Sequence, residues 1–205
     1  SDIGAVPGTV DSSYQYKCAT YGGTIHDGLW CIDNGLDIVK PEVCLLLYGV
    51  NETLGSPSDH DWGPWKEHYG LLLDSLLGRG IVPIVSTLPP LSEYSMNGVD
   101  TFTRAINDTI RSLARDKRVV LTDYYNAVVE YTDSVPFTHI WYADRFVHPS
   151  AGCAFDTLAP PCGVGIQNAV CWMAVDKVYR IIIEDGSPDA RSEEHTSELQ
   201  SLLII

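Results

Sequence analysis

The chain has 205 residues, 45% of them hydrophobic, and sets 27 acidic side chains against 13 basic ones for a formal charge of −14. That size, with mean hydropathy near zero, suits one soluble globular domain. The acidic balance repels a nucleic-acid backbone or an anionic membrane surface, and no apolar run approaches the length that spans a bilayer.

In chain order, Ser1–Ser13 is rich in Gly, Pro and Ser and reads as loop. It opens with no basic-then-apolar leader, so a signal peptide is either lacking or lies upstream of Ser1, which leaves secretion open. Tyr14–Thr20 has the aromatic and β-favouring character of a strand. The turn Tyr21-Gly22-Gly23-Thr24 leads into a helix over Ile25–Val39, with Leu29, Ile32, Leu36 and Val39 three and four residues apart. Val43–Tyr48 is an unbroken apolar run that meets Gly49-Val50-Asn51-Glu52, the pattern of a strand buried on both faces. In an open α/β sheet, ligands gather beyond the carboxyl ends of such strands, which places Asn51 where its amide could meet one. An ordinary polar turn is the plain alternative.

A Trp- and Pro-bearing loop, Leu54–Trp65, precedes a helix over Lys66–Leu77 that Gly78 and Gly80 stop. Ile81–Leu88 reads as the next parallel strand, with Pro83 pushed towards its start. Thr101–Asp116 carries Phe102, Ile106, Ile110 and Leu113 on one stripe, with Asp100 as cap. Arg118–Thr122 reads as a further strand and Asp123–Tyr131 as a short helix. A long loop runs to His148, and Val164–Ile183 is the closing helix. Strand and helix alternate throughout, which predicts a three-layer α/β/α sandwich with a mainly parallel sheet, flavodoxin-like in outline. The domain covers residues 1–190. From Arg191 the text RSEEHTSELQS lacks core periodicity and matches an in-frame translation of a sequencing adapter, so 191–205 reads as a non-native tail.

The remaining polar residues are weighed singly. The six cysteines show no CxxC spacing, which argues against zinc; Cys44 is a core residue, and Cys153, Cys162 and Cys171 are close enough to hold one disulfide. Asp59, His60 and Asp61 are adjacent and poorly placed to converge on one ion, so no metal is expected. Trp62, Trp65, His60 and Asp61 either line a cleft or form a solvent-facing loop. His26, His68 and His139 show no partner pattern and read as structural or surface residues. Asn51-Glu-Thr and Asn107-Asp-Thr both match the glycosylation pattern, and a glycan on Asn51 would block the site proposed for it. There is no phosphate-cradling Gly-rich loop, hence no cofactor expected, and no Gly-x-Ser-x-Gly elbow.

His148 sits in WYADRFVHPSAGC, at a loop-to-helix start, and alone it would be an unremarked surface residue. Taken together, Tyr21-Gly22-Gly23-Thr24, Gly49-Val50-Asn51-Glu52 and Asp144…His148-Pro149-Ser150 each fall at the carboxyl edge of the predicted sheet. In this order and spacing they resemble the second, third and fifth blocks of the SGNH (GDSL-type) esterase and lipase superfamily. PEVCLLLYGVNET, IVPIVSTLPP and RAINDTIRSLARDKRVVLTDYYNAV resemble the family's intervening text, so that the similarity covers roughly Tyr14 to Gly186.

The resemblance implies acyl transfer from a carboxylic ester through a serine. His148 would be the general base; the Gly22 N–H and the Asn51 amide would be oxyanion donors. Substrates would be acyl or acetyl esters of carbohydrate or lipid, with no cofactor. Three departures follow. Glu52 stands where the family has Asp, which keeps the carboxylate. The usual Asp position before His148 holds Arg145; Asp144, one residue further back, orients the imidazole if the loop is kinked, and a backbone carbonyl is the alternative. No Gly-Asp-Ser block is present, and the residues between Ser1 and Gly22 are too few for a crossover helix, which needs about 10–12 residues, plus a strand. The expectation is that the first strand and its serine lie upstream of Ser1 and that this chain is catalytically incomplete. A non-catalytic domain binding a glycan or ester in the same cleft is the other reading; a flavodoxin-like flavin binder is the third.

Overall fold

The computed structural model describes residues 23–36, 40–53, 62–90, 99–132 and 163–184. Three strands, β1 (Val43–Leu46), β2 (Val82–Ser86) and β3 (Val120–Thr122), form one parallel sheet in the order β1-β2-β3. Val43 pairs with Val82 and Leu46 with Val85; Ile84 pairs with Val120 and Ser86 with Thr122. The helices are α1 (Ile25–Asn34), α2 (Val50–Thr53), α3 (Trp62–Gly78), α4 (Val99–Lys117), α5 (Tyr124–Thr132) and α6 (Gly163–Val178), the last running into a π-helical turn, Tyr179–Glu184.

The two sheet faces are covered by different helices because side chains alternate along each strand. Leu46, Val85 and Leu121 point into a core shared with Ile25 and Ile32 of α1, with Tyr69, Leu72, Leu73 and Leu76 of α3, and with Ile106, Ile110 and Leu113 of α4. Ile84 points the other way, against Ala174 and Val178 of α6, with Val43, Val82 and Val120 packed alongside. A smaller cluster, Tyr124 and Val128 with Ile166 and Val170, joins α5 to α6. These are the three layers that the alternating pattern predicts.

Several boundaries and burial expectations change. β1 is not buried on both faces among the described residues: α6 packs on β2 and β3, and Leu45 is left 45% exposed. Pro83 lies inside β2, opposite Cys44. The ladder tolerates it because Val82 donates its N–H to Glu42 O on the β1 side at 2.9 Å. The next N–H therefore belongs on the β3 side, where pairing starts only at Ile84. Helix α3 begins at Trp62, four residues early, since Pro64 falls in the first turn where no intrahelical donor is needed. Trp65 consequently leaves the loop assigned to it and is buried at 5% exposure against Tyr69, with ring centroids 5.1 Å apart. Helix α4 starts at Val99, so Asp100 lies within it rather than before it.

Cys31 is disulfide-bonded to a partner outside the described residues, whereas Cys44 and Cys171 are free thiols. The disulfide considered among Cys153, Cys162 and Cys171 therefore does not include Cys171. His26 and His68 do have a partner, namely each other: their rings meet edge-on at 4.6 Å across the α1–α3 contact. The predicted strand Tyr14–Thr20 and the tail 191–205 lie outside the described residues. No described helix is long and apolar enough to cross a membrane.

Gly28 sets the closeness of α1 to the end of β1. A Cβ there would stand 2.9 Å from Tyr48 Cζ and 3.1 Å from its hydroxyl. Gly28→Ala should therefore overpack this contact by about 1–3 kcal/mol, of which helix propensity returns up to about 1 kcal/mol. A net loss of about 1–2 kcal/mol is expected in denaturant unfolding; a stabilised variant would mean that the Tyr48 ring moves aside freely.

Candidate active site

The site is built where β1 ends. After Leu46 the chain passes through Gly49, whose φ of +126° is open to glycine and hard for any other residue. A Cβ at Gly49 would also meet Leu88 Cδ1 at 3.2 Å and Ile106 Cγ2 and Trp65 Cζ2 at 3.3 Å. This turn throws the backbone directly into α2 and brings Asn51 and Glu52 beside the start of α1.

Both side chains grip the same turn. Asn51 Nδ2 donates to Gly23 O at 2.7 Å, and Glu52 Oε1 accepts the Ile25 N–H at 2.8 Å. Between them, Thr24 donates its N–H (2.7 Å) and its hydroxyl (2.9 Å) to Asp27 Oδ2. The main chain from Gly23 to Ile25 is thus held at three successive residues, two of them by a segment 27 or 28 residues away. An asparagine amide carries two N–H donors, and Asn51 spends one on Gly23 O. The other is the hydrogen it can offer to a ligand oxygen.

Of the four residues singled out from sequence, the structure describes Asn51. Gly22, Asp144 and His148 lie outside the described residues, as do Asp59, His60 and Asp61. Gly22 immediately precedes the held turn in the chain. The glycosylation alternative loses ground at Asn107. That residue is fully buried with its amide bonded to Leu88 O at 3.0 Å.

Sequence reasoning missed Glu52's bond to Ile25 and Asp27's cap on Thr24. The second was legible, since a Thr followed three residues later by an acid, just before an apolar run, is a helix-start signature. The first depends on two segments meeting and has no local signal.

Electrostatics follow from these contacts. The Thr24 N–H and hydroxyl hold the Asp27 carboxyl below the ordinary 3.8. Because the folded value is the lower one, Asp27 contributes stability that is complete above pH 3.8 and is lost as pH falls through that lower value. Melting temperature should therefore drop more steeply on acidification below pH 3.8 in the parent chain than in Asp27→Asn; parallel curves would show that the cap carries no linkage. Burial pushes the Tyr48 phenol up to about 12 and raises the Cys44 thiol, so neither is an available nucleophile at neutral pH. Ser86, at the end of β2, is 1% exposed and donates its hydroxyl to Thr87 O, which excludes it as well. Among the described residues no group of three His, Cys, Asp or Glu side chains converges as a metal site.

A second polar knot lies at the same edge of the sheet. Asp123 follows β3, is 4% exposed, and accepts the Thr87 hydroxyl at 3.0 Å. Arg111 Nε and Nη2 reach its two oxygens at 3.0 Å each, and Asn126 adds its backbone N–H at 3.2 Å and its amide at 2.8 Å. This knot ties α4, the end of β2 and the start of α5 together. It is fully occupied and presents nothing to a ligand.

No protein-family model and no curated protein matches the chain. Among solved structures it is similar to a GDSL-like lipase from Bacteroides thetaiotaomicron, with TM-score 0.59 and 14% identity over 77% of this chain and 73% of that one. An acetylxylan esterase from Geobacillus stearothermophilus gives TM-score 0.61 and 14% identity over 75% and 68%. The acetyl xylan esterase AlAXEase gives 0.58 and 21% over 79% and 77%. At these identities the likeness is one of architecture: the parallel sheet and flanking helices are those of the SGNH, GDSL-like hydrolase fold.

Proposed function

We propose that this chain belongs to a serine hydrolase of carboxylic esters, acting on acyl or acetyl esters of carbohydrate or lipid. The observation that carries the reading is the paired grip of Asn51 and Glu52 on the Gly23–Ile25 turn, at the carboxyl edge of a sheet whose solved likenesses include acetyl xylan esterases. In this reading the free N–H of Asn51 and the Gly22 N–H stabilise the oxygen of the tetrahedral intermediate. A donor held by a second hydrogen bond needs no reorganisation as charge develops, which is why the Gly23 contact matters. His148 takes the proton of a serine hydroxyl as that oxygen attacks the ester carbonyl, and returns it to the departing alcohol. Asp144 is assigned to orient the imidazole. The nucleophilic serine is assigned upstream of Ser1.

The test expresses the protein from the start that the source gene gives it and measures p-nitrophenyl acetate hydrolysis beside His148→Ala. Hydrolysis that collapses in the variant supports the assignment. Activity indifferent to His148, or a natural start without a Gly-Asp-Ser block, would leave a binding domain on this fold.

A further inference from the structure

We infer that Asn107, one helix away from the proposed site, is a positioning residue for Asn51. The inference rests on the esterase reading only for the role Asn51 plays; the geometry stands by itself.

Asn107 lies on α4 and is fully buried. Its Oδ1 accepts the Leu88 N–H at 2.7 Å while its Nδ2 donates to the Leu88 C=O at 3.0 Å. β2 ends at Ser86, so Leu88, itself 1% exposed, has left the ladder with both main-chain groups buried. Such groups need partners, and a side-chain amide offers an acceptor and a donor spaced for one residue's pair. Asn107 thereby fixes where Leu88 sits. Leu88 Cδ1 and Ile106 Cγ2 then form two sides of the tight space over Gly49, and Ile106 is Asn107's neighbour on α4. Gly49 turns the chain into α2, two residues before Asn51, and α2 packs on α4. The path is continuous: Asn107 holds Leu88, Leu88 and Ile106 bound the Gly49 turn, and that turn aims Asn51 at Gly23.

The test follows the Asn51–Gly23 hydrogen bond itself, without substrate, by NMR of the 15N-labelled full chain. Asn107→Asp keeps the acceptor for the Leu88 N–H and removes the donor to its carbonyl; Asn107→Ala removes both. In either variant the Asn51 side-chain amide protons should lose their hydrogen-bonded shift and exchange at least about tenfold faster, as expected when a held group opens locally. Backbone amides of the α5–α6 cluster around Tyr124 and Val170 should keep their parent rates. That contrast separates positioning from general loosening. If Asn107→Ala does not fold, Leu88→Ala opens the space over Gly49 while leaving Asn107 in place, and it should release the Asn51 protons in the same way. An Asn51 amide unchanged in Asn107→Asp and Leu88→Ala, or faster only in step with the α5–α6 cluster, overturns the inference. Hydrolysis plays no part in this readout, so failure of the esterase reading leaves it intact and its own failure leaves that reading intact.

Discussion

In the protein expressed from the start its source gene gives it, Asn51→Ala should lower turnover on p-nitrophenyl acetate by roughly 10²–10³-fold, the usual cost of one oxyanion donor. KM should change little, because the lost hydrogen bond is one that strengthens as the carbonyl oxygen becomes an oxyanion. The variant also removes the donor to Gly23 O, so part of the loss comes through the turn that follows Gly22. Asn51→Asp also loses both N–H donors while keeping the size of the side chain, and it places an acceptor against the Gly23 carbonyl and a negative charge where one must develop. It should be at least as impaired as the alanine variant. A drop confined to KM, or full turnover in Asn51→Ala, would remove Asn51 from the chemistry.

Asp123→Asn should cost about 3–5 kcal/mol of folding stability, the range for breaking one side of a buried ion pair. Asp123 meets Arg111 at two points while also accepting from Thr87 and twice from Asn126, so an amide there must turn its N–H groups towards either two or three of those five donors. Arg111 keeps its exposed partner Asp108 at 3.0 Å but loses the one that compensates its buried side. The measurement is the urea midpoint of the parent, Asp123→Asn, Arg111→Met and the double variant. Replacing both members should recover much of the loss, because unpaired charge and not lost attraction is the main cost. A single variant within about 0.5 kcal/mol of the parent, the range of an ordinary surface change, would show that the knot is dispensable.

Much of the fold was legible because local patterns survive in the tertiary structure. The stripe Ile106, Ile110, Leu113 does face the core, and the apolar run at Val43 is a strand ending in the turn that bears Asn51. Where the reading failed, a neighbour decided. The apolar run could not reveal that α6 packs mainly on β2 and β3 and that Leu45 is left exposed, nor could Trp65's neighbours in sequence show that helix α3 reaches back past Pro64. Asn107 matched a modification pattern by three letters, and only its burial shows it to be a clamp.

By itself the sequence determined the alternation of strand and helix, the acidic surface, and the presence of Gly49 at the one turn where φ is +126°. These follow from side-chain periodicity, composition and the missing Cβ of glycine, all of which act within a few residues. The tertiary structure alone decided that Asn51 and Glu52 close on Gly23 and Ile25, that His26 meets His68, and that Asp123 gathers Arg111 and Thr87. Hydrogen bonds, ion pairs and ring contacts of that kind join groups from 12 to 42 residues apart, and the packing of α1, α3 and α4 on one sheet face is what brings them within reach.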